Sequence, residues 1–344
     1  MKGQSKLKNF FKGKKVLIIG GTGTIGSGLT EVILKNFPPA VVRILSNDEN
    51  ALFCMKQGLK NFPNARFLVG DVRDKERMRW AARDIDYVFH SAALKHVSLC
   101  EYNPFDAVET NVLGTQNIIE VCLEEKVKRM IFIGTDKAVF PTSTMGATKL
   151  LAERLVLDAS AYKGKIPVIF SCVRFGNVLG SRGSIIPLIK GQISQGGPVT
   201  ITDRAATRFI MSTEEAVRLV IKGASLAKGG EIFILKMPSV KIIDLLRVLI
   251  DNFAPFYNLK PENISIEEIG LRRGEKLHED LMSEQESRYA AHLEDMLVIN
   301  HPKRARKKTE RFSSDKNIFL GKGEIENLLK ATGLLKRRKT DAHR

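Results

Sequence analysis

The sequence predicts an α/β protein, a doubly wound parallel sheet with a smaller C-terminal lobe attached. Three observations predict it. Short apolar runs of strand length alternate with helical segments through the first half of the chain, the first run ends in a glycine-rich turn, and the alternation breaks up after Gly176. Strands alternating with helices imply parallel pairing, with helices on both faces.

KKVLIIG (14–20) is a short apolar run ending in glycine and reads as a buried strand. SGLTEVILKNF (27–37) has helical spacing, AVVRILS (40–46) is a second strand, ARFLVGD (65–71) a third and DYVFHSA (86–92) a fourth. The spacing of 103–125 predicts one long helix, KRMIFIGTD (128–136) a fifth strand, 146–160 a helix and VIFSCVRFG (168–176) a sixth strand. Beyond Gly176, 181–203 mixes turns with a short helix, 213–226 and 240–253 read as helices and 262–270 as a strand of the second lobe. Residues 304–318 read as disordered chain and 324–333 as a last helix. The boundaries that follow are a sheet-forming unit over 12–176, to which later segments are free to return, a lobe over 177–300, and a basic extension over 301–344.

With 344 residues, 43% of them hydrophobic, the chain has material for one large domain and a smaller one. No run of 18 apolar residues predicts a membrane span. The basic start, MKGQSKLKNFFKGKK, lacks the apolar stretch of a signal peptide and is expected as a flexible tail, ahead of a short helix touching an acidic surface. Cys54, Cys100, Cys122 and Cys172 show no CxxC spacing, so neither a metal centre nor a disulfide framework is expected, and reduced thiols suit a cytoplasmic location. The net charge is +17, and 301–344 hold 14 Lys or Arg against 5 Asp or Glu. Such an excess calls for an anionic partner: a phosphorylated small molecule, a nucleic acid or a membrane surface. The tail has few aromatics and no nucleic-acid fold motif, so no specific nucleic-acid partner is expected, and only a weak contact with an acidic surface or membrane is left to it.

Gly20, Gly23 and Gly26 stand at G-x-x-G-x-x-G spacing between the first strand and the first helix. Missing side chains let the turn tighten and let a pyrophosphate approach the backbone and the helix N-terminus, the Rossmann-type context of a nicotinamide dinucleotide. Glycine turns also occur in loops that bind nothing. The second strand ends in Ser46-Asn47-Asp48. A carboxylate at that end accepts the 2′-hydroxyl of NAD; the immediate end here is neutral, with Arg43 and Lys56 near in sequence, which leans to NADP with NAD as the alternative. Arg43 pointing the other way along its strand is the competing reading. Asp71-Val72 after the third strand either contacts adenine or, through Asp71, caps the helix that DVRDKE begins.

These segments resemble the extended short-chain dehydrogenase/reductase family, and within it the UDP-N-acetylglucosamine 4,6-dehydratases of polysaccharide and flagellin-sugar biosynthesis. The resemblance runs from about residue 13 to about 300. It covers GGTGTIG (20–26), GDVRD (70–74), VFHSAALKHV (88–97), TNVLGTQN (110–117), GTDKAVFPTSTMGATK (134–149), RFGNVLGSRGSIIPL (174–188), ITDRAATRFIMS (201–212) and GLRRGEKLHEDL (270–281). The TDKA block together with GEKLHE is specific to this group. The resemblance implies cofactor contacts from Gly20, Thr22, Gly23, Thr24, Ile25, Gly26, Ser46, Asn47, Asp71, Val72, Ala92, Ala93, Lys95, Asn111 and Lys149.

It also implies a redox cycle without net oxidation. Hydride leaves sugar C4, the 4-ketone acidifies C5–H, a base takes that proton while an acid helps the C6 hydroxyl leave as water, and hydride returns to C6; some members also invert C5. Asp136 resembles the acid, Lys137 the base, Thr135 the hydroxyl near C4, and Lys149 the lysine that holds the nicotinamide ribose. Met145 departs from the tyrosine of the wider family, and a thioether cannot act as a base. Neutral Lys149, water or a relay through Thr135 is then left to deprotonate the C4 hydroxyl. For the substrate the resemblance implies Lys95, Asn177, Arg182, Arg208, Arg272 and Glu275 around a UDP-sugar, with Glu275 on the uridine ribose. Helices flanking the sheet commonly pair subunits in this family, so a homo-oligomer is expected.

Apart from the resemblance, Asp136 and Lys137 directly follow a strand, at the end where open parallel sheets bind ligands. The bland reading is a loop ion pair. Lys149 stands four residues after Met145, on one helix face, where a solvated lysine and a core methionine are the ordinary occupants. His90 and His96 near a strand end read as satisfied polar groups as readily as catalytic ones. Arg182, Arg208 and Arg272 suit phosphate by the fork of their guanidinium, or surface salt bridges. Two other functions compete with the dehydratase: a UDP-sugar 4-epimerase, and a non-catalytic nucleotide- or RNA-binding protein on the same fold.

Overall fold

The computed structural model describes residues 2–300 and 310–335. Its strands, in chain order, are β1 (Lys15–Ile19), β2 (Val41–Ser46), β3 (Ala65–Val69), β4 (Tyr87–His90), β5 (Arg129–Ile133), β6 (Ile169–Arg174), β7 (Asn177–Val178) and β8 (Val199–Ile201). They continue with β9 (Thr207–Met211), β10 (Glu231–Leu235), β11 (Ser239–Lys241), β12 (Ile266–Glu268), β13 (Asp280–Met282), β14 (Ala290–His292), β15 (Met296–Asn300) and β16 (Phe312–Ser313). Nine of them form one sheet in the order β14-β15-β10-β6-β5-β4-β1-β2-β3. β3 to β10 are parallel along that order, and β15 and β14 close the far edge antiparallel. This is the α/β, doubly wound arrangement the sequence predicts.

The central strands are rich in β-branched and aromatic residues and buried on both faces, because helices cover the sheet on either side. The chain runs outward from β1 to β2 and β3, then crosses back to β4 on the other side of β1. That reversal opens a crevice at the carboxyl ends of β1 and β4, where such sheets take ligands.

The structure corrects two expectations and refines a third. The N-terminus is a helix, Lys2–Phe11, docked on the core: Phe11 is fully buried and stacks on Phe37 at 4.9 Å, and Phe10 stacks on Tyr87 at 4.6 Å. Burying such a ring is worth roughly 2–3 kcal/mol, enough to order a short basic segment that charge alone would leave free. The helix foreseen over 103–125 runs from Pro104 to Glu124 but is not regular: a π-turn at Glu109–Leu113 separates Pro104–Val108 from Gly114–Glu124. Residues 310–318, placed in a disordered stretch, instead carry β16, which pairs with β13. The rest of that stretch and the lysine- and arginine-rich runs at 303–309 and 336–339 lie outside the described residues.

The chain after Gly176 serves both halves of the molecule. β10, β14 and β15 extend the main sheet. A second core gathers the helices Ile185–Ser194, Ile242–Phe253 and Lys322–Ala331, with Ile189, Leu246, Leu249 and Leu329 buried completely.

Candidate active site

A cavity of about 1020 Å³ lies along the carboxyl ends of β1, β4 and β5 and is walled on its other side by the second lobe. The glycine turn forms one end. Gly20 has φ +76°, and a Cβ there would meet the Ala92 nitrogen at 2.6 Å. A Cβ on Gly26 would meet the Gly20 carbonyl at 2.3 Å. The turn therefore closes only without side chains, and it delivers the first turn of the helix Thr24–Asn36 to the cavity with its leading N–H groups free of intrahelical acceptors. Such a cradle fits a pyrophosphate. Thr22, Thr24, Ile25, Ala92 and Ala93 line the same end.

The end of β2 is held by hydrogen bonds among short polar groups. Thr22 Oγ1 and Ser46 Oγ are 2.7 Å apart, and Asn47 donates to Asp71 at 3.2 Å. Arg73 grips Asp71 through two side-chain bonds of 3.0 and 2.9 Å and holds its carboxyl below the usual range. The Asp48 carboxylate caps the next helix by accepting from the Ala51 N–H, and it faces Arg182 at 3.4 Å. Arg43 does not reach this end: its guanidinium donates to the carbonyls of Ala81 and Arg83, at the opposite end of the sheet. Lys56 does not line the cavity either. Arg182, expected with the substrate groups, stands against Thr24 and Asp48 at the glycine-turn end.

Asn111 is placed behind the wall. It is buried on the π-turn, accepts from the Leu94 N–H at 2.8 Å, and donates to Leu94 O and Thr148 Oγ1, each at 3.0 Å. It braces the loop that carries Ala92 and Ala93 rather than lining the cavity with them. Val72 is a buried packing residue at the cavity edge, against Gly114. Lys95 spans the cleft to the Arg182 carbonyl at 2.7 Å, and burial, then the Arg182 charge, lowers its ammonium's pKa.

The middle of the cavity holds the titratable groups. Asp136 and Lys137 form a turn of 3-10 helix directly after β5. Asp136 is fully buried; its Oδ1 accepts from Thr135 Oγ1 at 2.9 Å and from Lys137 Nζ at 3.1 Å. Its Oδ2 is buried without a hydrogen-bond partner among the described residues. Burial raises its pKa from that of a free aspartate, against the pull of Lys137. For Lys137 burial works against the charge, but the carboxylates of Asp136 and Glu279 outweigh it and raise its pKa.

Lys149 and Met145 share a face of the helix Thr144–Tyr162, and both are buried beside this pair. The Lys149 amine donates to the Ile133 carbonyl at 2.7 Å and sits 3.9 Å over the Phe132 ring. Burial lowers its pKa to about 8. His90 stays out of the cavity, bonded to Thr115 at 3.0 Å and held neutral by burial, with a pKa of about 3. His96 lines the cavity beneath Gly183.

The second lobe supplies the remaining wall. Arg208 on β9 is buried and donates to Glu275 Oε1 at 2.9 Å, an oxygen that also accepts from Thr202 at 3.1 Å. Arg272 and Asn177 line the same side. The sequence reading missed Glu279. This carboxylate is 2% exposed and stands 3.3 Å from Lys137 Nζ. Its only signal was its place in the GEKLHE run.

The parallel sheet with a glycine turn at its switch point is the arrangement of the extended short-chain dehydrogenase/reductase class that the sequence resembles, and the Asp-Lys pair stands on a neighbouring strand end. The chain belongs to the polysaccharide biosynthesis protein family, which it matches over residues 16–301. It is 54% identical, over 96% of its length and 99% of the relative's, to an uncharacterized membrane protein of Methanocaldococcus jannaschii. It is 43% identical to a UDP-N-acetylglucosamine 4,6-dehydratase (inverting) of Campylobacter jejuni, covering 84% of each chain. A UDP-glucose 4-epimerase of Rickettsia rickettsii is 39% identical, over 84% of this chain and 83% of its own. Among solved structures, Pen from Bacillus thuringiensis superimposes with a TM-score of 0.90 at 47% identity, covering 94% of this chain and 99% of that one. Among the described residues no helix is long and apolar enough to cross a membrane.

Proposed function

We propose that the protein is a sugar-nucleotide 4,6-dehydratase that converts UDP-N-acetylglucosamine to a UDP-4-keto-6-deoxy-N-acetylhexosamine, with inversion at C5. The observation that carries this reading is the Asp136–Lys137 pair, in which a buried acid with a raised pKa touches a partly exposed amine at 3.1 Å. The inverting relative supports the substrate and the stereochemistry.

A nicotinamide dinucleotide on the glycine cradle supplies hydride acceptance from C4 and its return to C6. The chain's own residues do the rest. Lys149, with a pKa near 8, is neutral in roughly one molecule in ten at pH 7, which supports it as the group that takes the C4 hydroxyl proton where Met145 cannot. Thr135 bonds the C4 oxygen. The neighbouring carboxylates raise the Lys137 pKa, so the pair rests as ammonium and carboxylate and reacts from the less favoured arrangement in which its proton sits on Asp136. Neutral Lys137 then takes the C5 proton and becomes an ammonium, while the Asp136 carboxyl gives its proton to the C6 hydroxyl, which leaves as water. When hydride returns to C6, the C4–C5 enolate takes a proton at C5 from a donor in exchange with solvent, Lys149 releases the C4 hydroxyl proton, and direct transfer from Lys137 to Asp136 resets the pair. Arg208, Arg272 and Lys95 meet the diphosphate, Asn177 orients the sugar, and Glu275 meets the uridine ribose.

NADP leads NAD in this reading. Ser46 and Asn47 present neutral groups at the end of β2, the Asp48 carboxylate is engaged, and Arg182 and Arg73 supply cations there that Arg43 does not. Equilibrium binding of both dinucleotides checks it, and tighter binding of NAD reverses the assignment.

The decisive experiment is NMR of the protein with UDP-N-acetylglucosamine in deuterated water. The expected product has a 6-methyl group, a 4-ketone or its hydrate, deuterium at C5, and ring couplings of the inverted sugar. The epimerase relative favours a second reading, which inversion at C4 without loss of water establishes in place of the first. An unchanged substrate across UDP-, dTDP- and GDP-sugars leaves neither standing.

A further inference from the structure

We infer that Glu279 is a positioning residue of the acid–base centre: it fixes Lys137 between two carboxylates and stabilises the charge that Lys137 acquires as it takes a proton. The inference rests on the dehydratase reading and deepens it. Lys137 Nζ lies 3.1 Å from Asp136 Oδ1 and 3.3 Å from Glu279 Oε1. One donor direction is set by the bond to Asp136, and Glu279 stands on the same ammonium as an ion pair, so the charge of Lys137 lies between two carboxylates. Glu279 itself has little freedom. Its N–H donates to Ser314 Oγ at 2.9 Å, and its carbonyl accepts from the Ser314 N–H at 2.9 Å. Ser314 Oγ is in turn 2.7 Å from Thr207 Oγ1. Lys276 Nζ stands 3.1 Å from the other carboxylate oxygen, an ion pair without hydrogen-bond alignment, and donates to the Val139 carbonyl at 2.8 Å.

The two carboxylates facing Lys137 are set apart by their surroundings. Burial raises the pKa of both, but Lys137, Lys276 and Arg208 overcome this at Glu279 and hold it lowered, while Asp136 stays raised. Glu279 is therefore the standing anion and Asp136 the group free to carry a proton. A fixed carboxylate behind a base, stabilising its cation without taking its proton, is the part an aspartate plays behind histidine in serine proteases. The chain segment around β16 holds this carboxylate in place, so residues that read as disordered tail reach the reacting centre through Ser314.

The test is Glu279→Gln, which keeps the shape and removes the charge. Without the anion, Lys137 deprotonates at lower pH. The midpoint of Lys137 acetylation by acetic anhydride, followed by peptide mass spectrometry across pH without substrate, is expected to fall by about one unit or more. With substrate, the limb of kcat set by Lys137 is expected to move to lower pH; above that limb, where Lys137 is neutral in both proteins, C5 deuterium incorporation is expected to slow roughly ten- to hundredfold because the base is weaker and less well held, with KM within about threefold. An unchanged midpoint in a folded variant overturns the inference, as does a lower midpoint with unchanged C5 exchange. If wild-type protein gives no dehydration product, the dehydratase reading fails, and the acetylation midpoint still decides separately whether Glu279 governs Lys137. Should the amide variant not fold, Glu279→Asp serves in its place, with a smaller shift in the same direction expected and an unshifted midpoint again counting against it.

Discussion

At the scale of single residues, the Asp136–Lys137 pair makes separable predictions. Lys137→Ala is expected to slow C5 proton exchange roughly hundredfold or more while UDP-sugar binding by calorimetry changes little. Asp136→Asn is expected to slow water loss and leave the fold intact; an unaltered elimination rate removes it as the acid. Lys149 makes a prediction about stability. Its folded pKa of about 8 lies below the 10.5 of an ordinary lysine, so between these the unfolded chain binds more protons than the native one, and stability rises with pH across that window. The full difference is about 3 kcal/mol. Urea unfolding of wild type and Lys149→Met without cofactor is expected to show this slope only in wild type, and parallel curves contradict it. Asp136, Lys137 and Lys149 were legible in the sequence because they share one short stretch around a strand end. Glu279 was not, because it meets Lys137 only through the tertiary fold.

Among the elements, legibility followed the strength of the periodic signal. The helix Thr213–Leu226 falls where the spacing put it, and so do the first six strands to within a few residues. The π-turn at Glu109–Leu113 was hidden, since one added residue in a helical turn leaves the apolar spacing nearly unchanged. β10 and β15 were hidden because each is a lone apolar run after the alternating pattern stops, and only pairing with β6 and each other makes them strands. A buried ion cluster ties these parts together. Arg174 on β6, with no solvent exposure, bonds Glu153 at 2.5 and 2.7 Å and Glu286 at 2.7 and 3.1 Å. Removing the cation strands two buried carboxylates, so Arg174→Met is expected to cost about 3–5 kcal/mol in urea unfolding. A loss below about 1 kcal/mol shows that the carboxylates find other partners or simply protonate.

For the whole molecule, the sequence placed the lobe boundary near Gly176 but could not show that the later chain returns to complete the sheet, nor that its last described helix closes the second core through Ile325 and Leu329. Both cores stand behind the walls of one cavity, so the site depends on the lobes keeping their relation. The outer face of the same scaffold carries an apolar excess. Leu99, Tyr102, Phe105, Leu113, Leu151 and Tyr162 are exposed on the helical segments 97–113 and 144–162, which pack against one another. Single exposed apolar residues are ordinary, but six on neighbouring helices mark a surface that water disfavours. A second copy, related by a two-fold axis, is the expected occupant. Each chain carries +17, so two copies repel, and burial of the apolar side chains has to outweigh that repulsion. Added salt screens the charge without weakening the apolar contact, so dimerisation is expected to strengthen from low to high salt. Phe105→Lys adds charge to the face and is expected to yield monomer at both salt concentrations, with the unfolding midpoint of the isolated subunit little changed. Sedimentation velocity decides the matter: a wild-type monomer at micromolar concentration in high salt, or a dimer indifferent to Phe105→Lys, assigns this face to something other than self-association.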